Sequence, residues 1–197
     1  MRHVTELLGN PADRQSPRVL RWLALSPVAA LAWTAARVWL GVMWIQAGVS
    51  KLWGAENPAF LHHNGAGVAG FAAHGAASYS WWGTFLHSFV VPNASWIGVL
   101  VSYAEFVGGV ALVIGLLTPI AAGGLLVLNI TYMLSGTAGV NPVYALFAVL
   151  LLVTWRTSGW IGVDGLIAGF RSRHSLSISL LGHPIGAVEA LRRRSAA

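Results

Sequence analysis

From Phe106 to Trp155 the chain runs for 50 residues without one Asp, Glu, Lys or Arg. Soluble domains carry a charge at about one residue in four, so this stretch cannot supply a water-facing surface. It is long enough for two passes of about 20 residues through a hydrocarbon layer. The whole chain of 197 residues has 12 Lys+Arg and 6 Asp+Glu, 9% charged against 56% hydrophobic. That balance excludes a disordered chain, a collagen-like fibre and an ordinary soluble enzyme. The fold expected is all-α: an integral membrane four-helix bundle.

There is no cysteine, which excludes disulfides, thiolate zinc, Cys-ligated iron–sulfur clusters and CxxC chemistry in this chain. The formal charge of +6 is expected of a membrane chain, whose basic residues gather on the cytoplasmic side. No nucleic-acid partner is inferred.

The apolar run at 28–52 exceeds the 7–15 residues of a signal-peptide core and is read as a retained first helix. Residues 1–27, with Arg2, Arg14, Arg18 and Arg21, form a basic N-terminal segment. The stretch 56–92 has no Lys or Arg but holds His62, His63, His74 and His87 among many aromatics. It is expected to form a His/aromatic-rich outer segment of short interfacial helices and loops between helices one and two. Asn93 is a candidate N-cap for a second helix at 94–117. Thr118-Pro119 opens a third at 119–135, and Asn141-Pro142 opens a fourth at 142–156. Residues 28–156 thus form the membrane domain. The basic segment 157–197, with Ile185, Val188 and Leu191 at helical spacing before Arg192-Arg193-Arg194, is read as a solvated tail on the inner leaflet. Ten basic residues, Arg156 at the end of helix four included, lie on the two end segments, and none in the loops joining helices one to two and three to four. A multi-pass protein of the cell membrane with both termini cytoplasmic follows from that asymmetry.

Three charges stand within or at the edge of helices: Arg37, Lys51 and Glu105. Each is costly in hydrocarbon and is expected to face the bundle interior with a partner. Arg37, Trp44 and Lys51 are seven apart and so share one helix face. Ser102, Gly108 and Gly109 flank Glu105 with small groups that admit a neighbouring helix. Two readings follow. In one, Arg37 and Glu105 pair near the midplane and fix helix register. In the other, Arg37, Lys51 and Glu105, with Trp44, Asn129 and Tyr132, line a pocket for a quinone or another polar-headed lipid, with Arg37, Lys51 and Tyr132 donating hydrogen bonds, Glu105 relaying protons and Trp44 covering the ring. The His set has no metal-binding spacing. Gly65-Ala-Gly67-Val-Ala-Gly70 matches the dinucleotide fingerprint only in letters, because no strand precedes it. Asn93-Ala-Ser95 matches a glycosylation sequon.

Arg37-Val-Trp-Leu-Gly41 followed by Ala47-Gly48-x-x-Lys51-Leu52 resembles the first-helix signature of the DoxX/DoxD family. Glu105-Phe-Val-Gly108-Gly109 with Leu112, Gly115 and Thr118 is similar to its second-helix signature. Asn129-x-x-Tyr132 through Asn141-Pro142, then Trp155-Arg156-x-x-Gly159-x-x-Gly162-x-Asp164, resembles the DoxD-like branch. The resemblance implies a four-helix membrane protein of bacteria or archaea with Arg37, Lys51, Glu105, Asn129 and Asn141 as its polar positions. In that branch DoxD and its partner DoxA form a thiosulfate:quinone oxidoreductase. DoxX relatives are linked to a membrane oxidoreductase complex with superoxide dismutase and a thiosulfate sulfurtransferase. No DoxA-like soluble segment is present in this chain. The function expected is therefore a membrane subunit of a quinone-linked oxidoreductase, with quinone as cofactor and the lipid bilayer and a partner subunit as its partners. The electron donor would be a small sulfur compound such as thiosulfate. The alternative is a non-catalytic scaffold or lipid-binding subunit of a respiratory or redox-defence complex, and a small-solute transporter stands third.

Overall fold

The computed structural model describes residues 22, 26–75, 80–137 and 139–170. The basic stretch ahead of the first helix and the tail from residue 171, including Ile185 to Arg194, lie outside the described residues. Every regular element among the described residues is helical.

Helix α1 spans Pro27–Leu52. Helix α2, Ala66–Gly75, follows a π-helical turn at Pro58–His62, and α3, Ser80–Phe85, widens into π geometry at Leu86–Val90. The remaining long helices are α4 (Ala94–Ile114), α5 (Thr118–Leu134) and α6 (Asn141–Val153). A single turn, α7 (Trp155–Ser158), leads to α8 at 163–170. Among the described residues α1 and α4 are long and apolar enough to cross a membrane, whereas α5 and α6 are shorter apolar helices.

The bundle is polar inside and apolar outside. Arg37, Ser102, Glu105, Thr118 and Asn129 are buried, while Val107, Ile120, Val127, Leu146 and Val153 are more than half exposed. In water that distribution would be ruinous. In hydrocarbon it is what burial of costly polar groups demands. Leu40, Trp44, Leu112, Ala122, Leu125, Ala148 and Leu151 fill the centre.

Helices α1 and α4 make the tightest interface because glycines let their backbones touch. A Cβ on Gly109 would lie 2.7 Å from the Gly41 carbonyl, one on Gly41 would lie 2.7 Å from that of Gly109, and one on Gly48 would lie 2.6 Å from the Phe106 nitrogen. Lipid offers no hydrophobic drive for helix association, so such close packing is what holds membrane helices together. Gly65 serves a similar end. Its φ of 72° turns the chain into α2, and a Cβ there would collide with the Ala94 carbonyl at 2.1 Å. The G-x-G-x-x-G letters thus mark a close backbone contact, and no strand precedes them.

Several local expectations are corrected. Asn93 stands at the N-cap of α4 but does not cap it. Its Nδ2 donates to the Phe89 carbonyl at 2.8 Å, and its Oδ1 accepts from Trp96 Nε1 at 2.9 Å. Asn141 is already helical, and its Nδ2 donates to the Thr137 carbonyl. The cap of α5 comes from far along the chain. Asp164 accepts from Leu117 N at 2.7 Å and Thr118 N at 2.8 Å, and donates its own N–H to the Gly115 carbonyl at 2.8 Å. This clasp restrains Leu117 in the left-handed region, at φ 48°, where a side chain costs about 1–2 kcal/mol. The segment 157–164 is therefore docked on the bundle, with Thr157 and Ser158 buried. It is not part of a solvated tail. A purely hydropathic reading missed it because its anchoring groups are one carboxylate and backbone.

Candidate functional site

Lys51 sits in the last turn of α1, where a cation is favoured by the helix dipole. Glu105 lies mid-way along α4 on its inward face, in line with Ser102 and Gly109. Glycines at 41, 48 and 109 bring the two backbones close enough for the side chains to meet. Lys51 Nζ donates to Glu105 Oε2 at 2.8 Å, and Tyr132 of α5 donates its phenolic O–H to Oε1 at 2.5 Å. Both carboxylate oxygens are thus engaged, as a buried charge requires. The Glu105 side chain is 1% exposed, that of Lys51 12%, and that of Glu56 50%; Glu56 Oε2 lies 3.9 Å from Lys51 Nζ. Charged groups therefore step from the bundle core to the surface. Asn57 Nδ2 donates to the Leu52 carbonyl and fixes the turn that brings Glu56 back over Lys51.

Lys51, Glu56 and Tyr132 line a cavity of about 470 Å³, to which Ser135, Thr137 and Asn141 also contribute. This volume is within the range of small-molecule sites. Its walls are aromatic, chiefly Phe60, Phe71, Trp82, Phe85, Phe89 and Trp96. Trp82 and Phe85 stack at 5.1 Å and Phe85 and Phe89 at 5.5 Å. Trp82 Nε1 donates to Ser135 Oγ at 2.9 Å, pinning α3 against the end of α5. The Lys51 ammonium also lies 5.3 Å from the centre of the Phe60 ring, a cation–π contact. The arrangement presents a cationic donor backed by a carboxylate and a phenol at the end of a flat-walled apolar slot. It suits a flat ring bearing a hydrogen-bond acceptor.

The structure groups some of the sequence-predicted residues and separates others. Lys51, Glu105 and Tyr132 meet. Arg37 does not join them, nor does it pair with Glu105. It lies 14 residues before Lys51, about 21 Å along the helix, at the opposite end of the bundle. There its Nη2 donates to the Ile161 carbonyl at 2.7 Å and its Nη1 packs against Gly115 and Gly162, facing Asp164. The expected midplane pair fails because Lys51 reaches Glu105 first and the 157–164 segment supplies Arg37 with other partners. Trp44 is buried in the core between Tyr132 and Tyr144, with ring centroids at 6.4 and 6.1 Å, and does not line the cavity. It therefore cannot cover a ring there. Asn129 is fully buried one turn before Tyr132, and neither its carboxamide nor Trp44 Nε1 has a hydrogen-bond partner.

The aromatic walls went unread as a site. The signal was present: a stretch rich in Phe, Trp and His with no Lys or Arg. His62, His63, His74 and His87 are all exposed, and among the described residues no three His, Asp or Glu side chains converge as metal ligands.

Residues 32–138 match the family model DoxX, just over half of the chain. Neither the curated proteins nor the solved structures yielded a match.

Proposed function

Because the chain belongs to the DoxX family, whose members are generally membrane-associated, we propose from its site that it is the membrane subunit of a quinone-linked oxidoreductase. One observation carries the reading: a ring-sized aromatic cavity ends on Lys51, with Glu105 and Tyr132 engaged directly behind it. A quinone accepts two electrons and two protons when reduced. The chain's part is to bind and orient the ring between aromatic faces, to offer the Lys51 N–H to a carbonyl oxygen, and to hold a proton at Glu105 that exchanges with the surface past Glu56. With no cysteine in the chain, electrons from a small sulfur compound such as thiosulfate would arrive through a partner subunit. The helices cross the cell membrane several times with both termini on the cytoplasmic side, a reading supported by the ten-to-none distribution of basic residues.

A second reading draws on the closed Lys51–Glu105 ion pair. A scaffold or lipid-binding subunit of a respiratory or redox-defence complex would bury the same charges in the same way. Conservative changes separate the two. Lys51→Met keeps the apolar stem and removes the donor, and Glu105→Gln keeps the shape and removes the proton carrier. Both variants should insert into membranes and yet lose quinone that co-purifies in mild detergent. Wild-type protein isolated with its partners that neither carries quinone nor responds to a short-chain analogue would leave the scaffold reading standing.

A further inference from the structure

The aromatic cavity adjoins a second hollow. Leu100, Val101 and Leu128, which line the cavity, also line this hollow of about 340 Å³ between α4 and α5. The second hollow continues past Ala104 and Gly108 on one side and Gly124 and Ile120 on the other. Because α4 and α5 run antiparallel, positions 100 to 108 and 128 to 120 cover the same depth, roughly 12 Å and about two or three isoprene units. Its lining holds no charged and no hydrogen-bonding side chain. A Cβ on Gly124 would have nothing within 4 Å, so the groove has lateral room at mid-depth for a branching methyl.

We propose that this α4–α5 groove is the tail subsite of the same ligand: an isoprenoid quinone seats its ring in the aromatic cavity and lays its first two or three isoprene units along Gly108 and Gly124. The inference rests on the ring-site reading above and adds the ligand class, a branched-tail membrane quinone. The three shared lining residues are the argument for a shared occupant. A lipid confined to the groove has no polar anchor there, whereas an occupant that also reaches the adjoining cavity meets Lys51.

Gly124 gives the test a clean handle. A Cβ at this position meets no atom within 4 Å, so Gly124→Ala enters the groove without displacing a neighbour and Gly124→Leu carries the obstruction further into it. Ring binding is read from quenching of tryptophan fluorescence, since Trp82 and Trp96 line the cavity. The probes are a tailless benzoquinone and benzoquinones bearing one to four isoprene units, titrated in detergent against the full chain. In wild type, affinity should rise with tail length to about two or three units and then level off. Gly124→Leu should bind the tailless probe as wild type does and lose about three- to tenfold for the longer tails, with Gly124→Ala between. The loss is modest because surrounding lipid or detergent is as apolar as the groove, leaving mainly contact and ordering terms. An unchanged tail-length profile in Gly124→Leu, with the tailless probe still bound, would overturn the groove and spare the ring site. No binding of any probe to wild type would remove the ring site, and the tail subsite with it. Loss of a co-purifying phospholipid from Gly124→Leu, with quinone binding intact, would make the occupant an acyl chain and refute the proposal.

Discussion

Replacing Gly48 with Ala alters no polar group, yet it should weaken the Lys51–Glu105 pair. A Cβ at position 48 would lie 2.6 Å from the Phe106 nitrogen and 2.8 Å from its Cα, whereas ordinary contact begins at 3.4 Å. These are backbone atoms of α4 and cannot rotate away, so α1 and α4 must separate by most of that difference. Residues 48 and 106 stand beside Lys51 and Glu105. The 2.8 Å Lys51–Glu105 bond would stretch toward the limit of hydrogen bonding and weaken. Overpacking of this kind costs about 1–3 kcal/mol. A weakened hydrogen bond to a charged group adds about 1.5–3 kcal/mol at most, and the better helix propensity of Ala returns about 1 kcal/mol. A net loss of about 2 kcal/mol is expected. Gly124→Ala makes the same chemical change where there is open space, and should be neutral or up to about 1 kcal/mol more stable. The two variants are compared by thermal unfolding in one detergent, together with quinone titration. If Gly48→Ala is as stable as Gly124→Ala and binds as wild type does, close α1–α4 contact does not hold the site together.

Removing the distant cap by Asp164→Ala should cost about 2 kcal/mol, in the range for lost helix caps, and speed hydrogen exchange of the Leu117 and Thr118 amides specifically. Unchanged exchange there would mean that the clasp is not formed in the membrane. For topology, a reporter fused after Arg194 should be active only as a cytoplasmic fusion, and periplasmic activity would reverse the orientation.

What the sequence could disclose was decided by distance along the chain. Proline and the edges of apolar runs mark helix starts locally, so Pro27, Pro119 and Pro142 stand in the first turns of α1, α5 and α6. The cost of charge in hydrocarbon points Arg37, Lys51 and Glu105 inward without any knowledge of their neighbours. Partners are another matter. Lys51 and Arg37 lie on one face of one helix, and nothing in their spacing says which of them meets Glu105. The answer depends on Gly41 and Gly48 setting the register against Gly109 and Phe106, and on backbone from residues 157–164 reaching Arg37. The cavity walls were hidden for a different reason. They come from irregular π-helical turns and short helices, whose geometry no simple hydrophobic period describes. Asn93 and Asn141 occupy positions that suit caps, but local carbonyls at Phe89 and Thr137 hold their amides.

The contact between Arg37 and the Ile161 carbonyl spans 124 residues, and so it sets an order in time. The first helix leaves the ribosome with a guanidinium whose final partner has not yet been made. At about 5–20 residues per second, the wait is about 6 to 25 seconds. During that interval the guanidinium lacks its final acceptor and is favoured where water or headgroups can serve instead. Helix one is therefore a provisional resident of the bilayer until the end of the membrane domain is synthesised. A nascent chain halted before Gly162 would be left with an unmatched charge, a mark by which quality control can tell an unfinished bundle from a finished one.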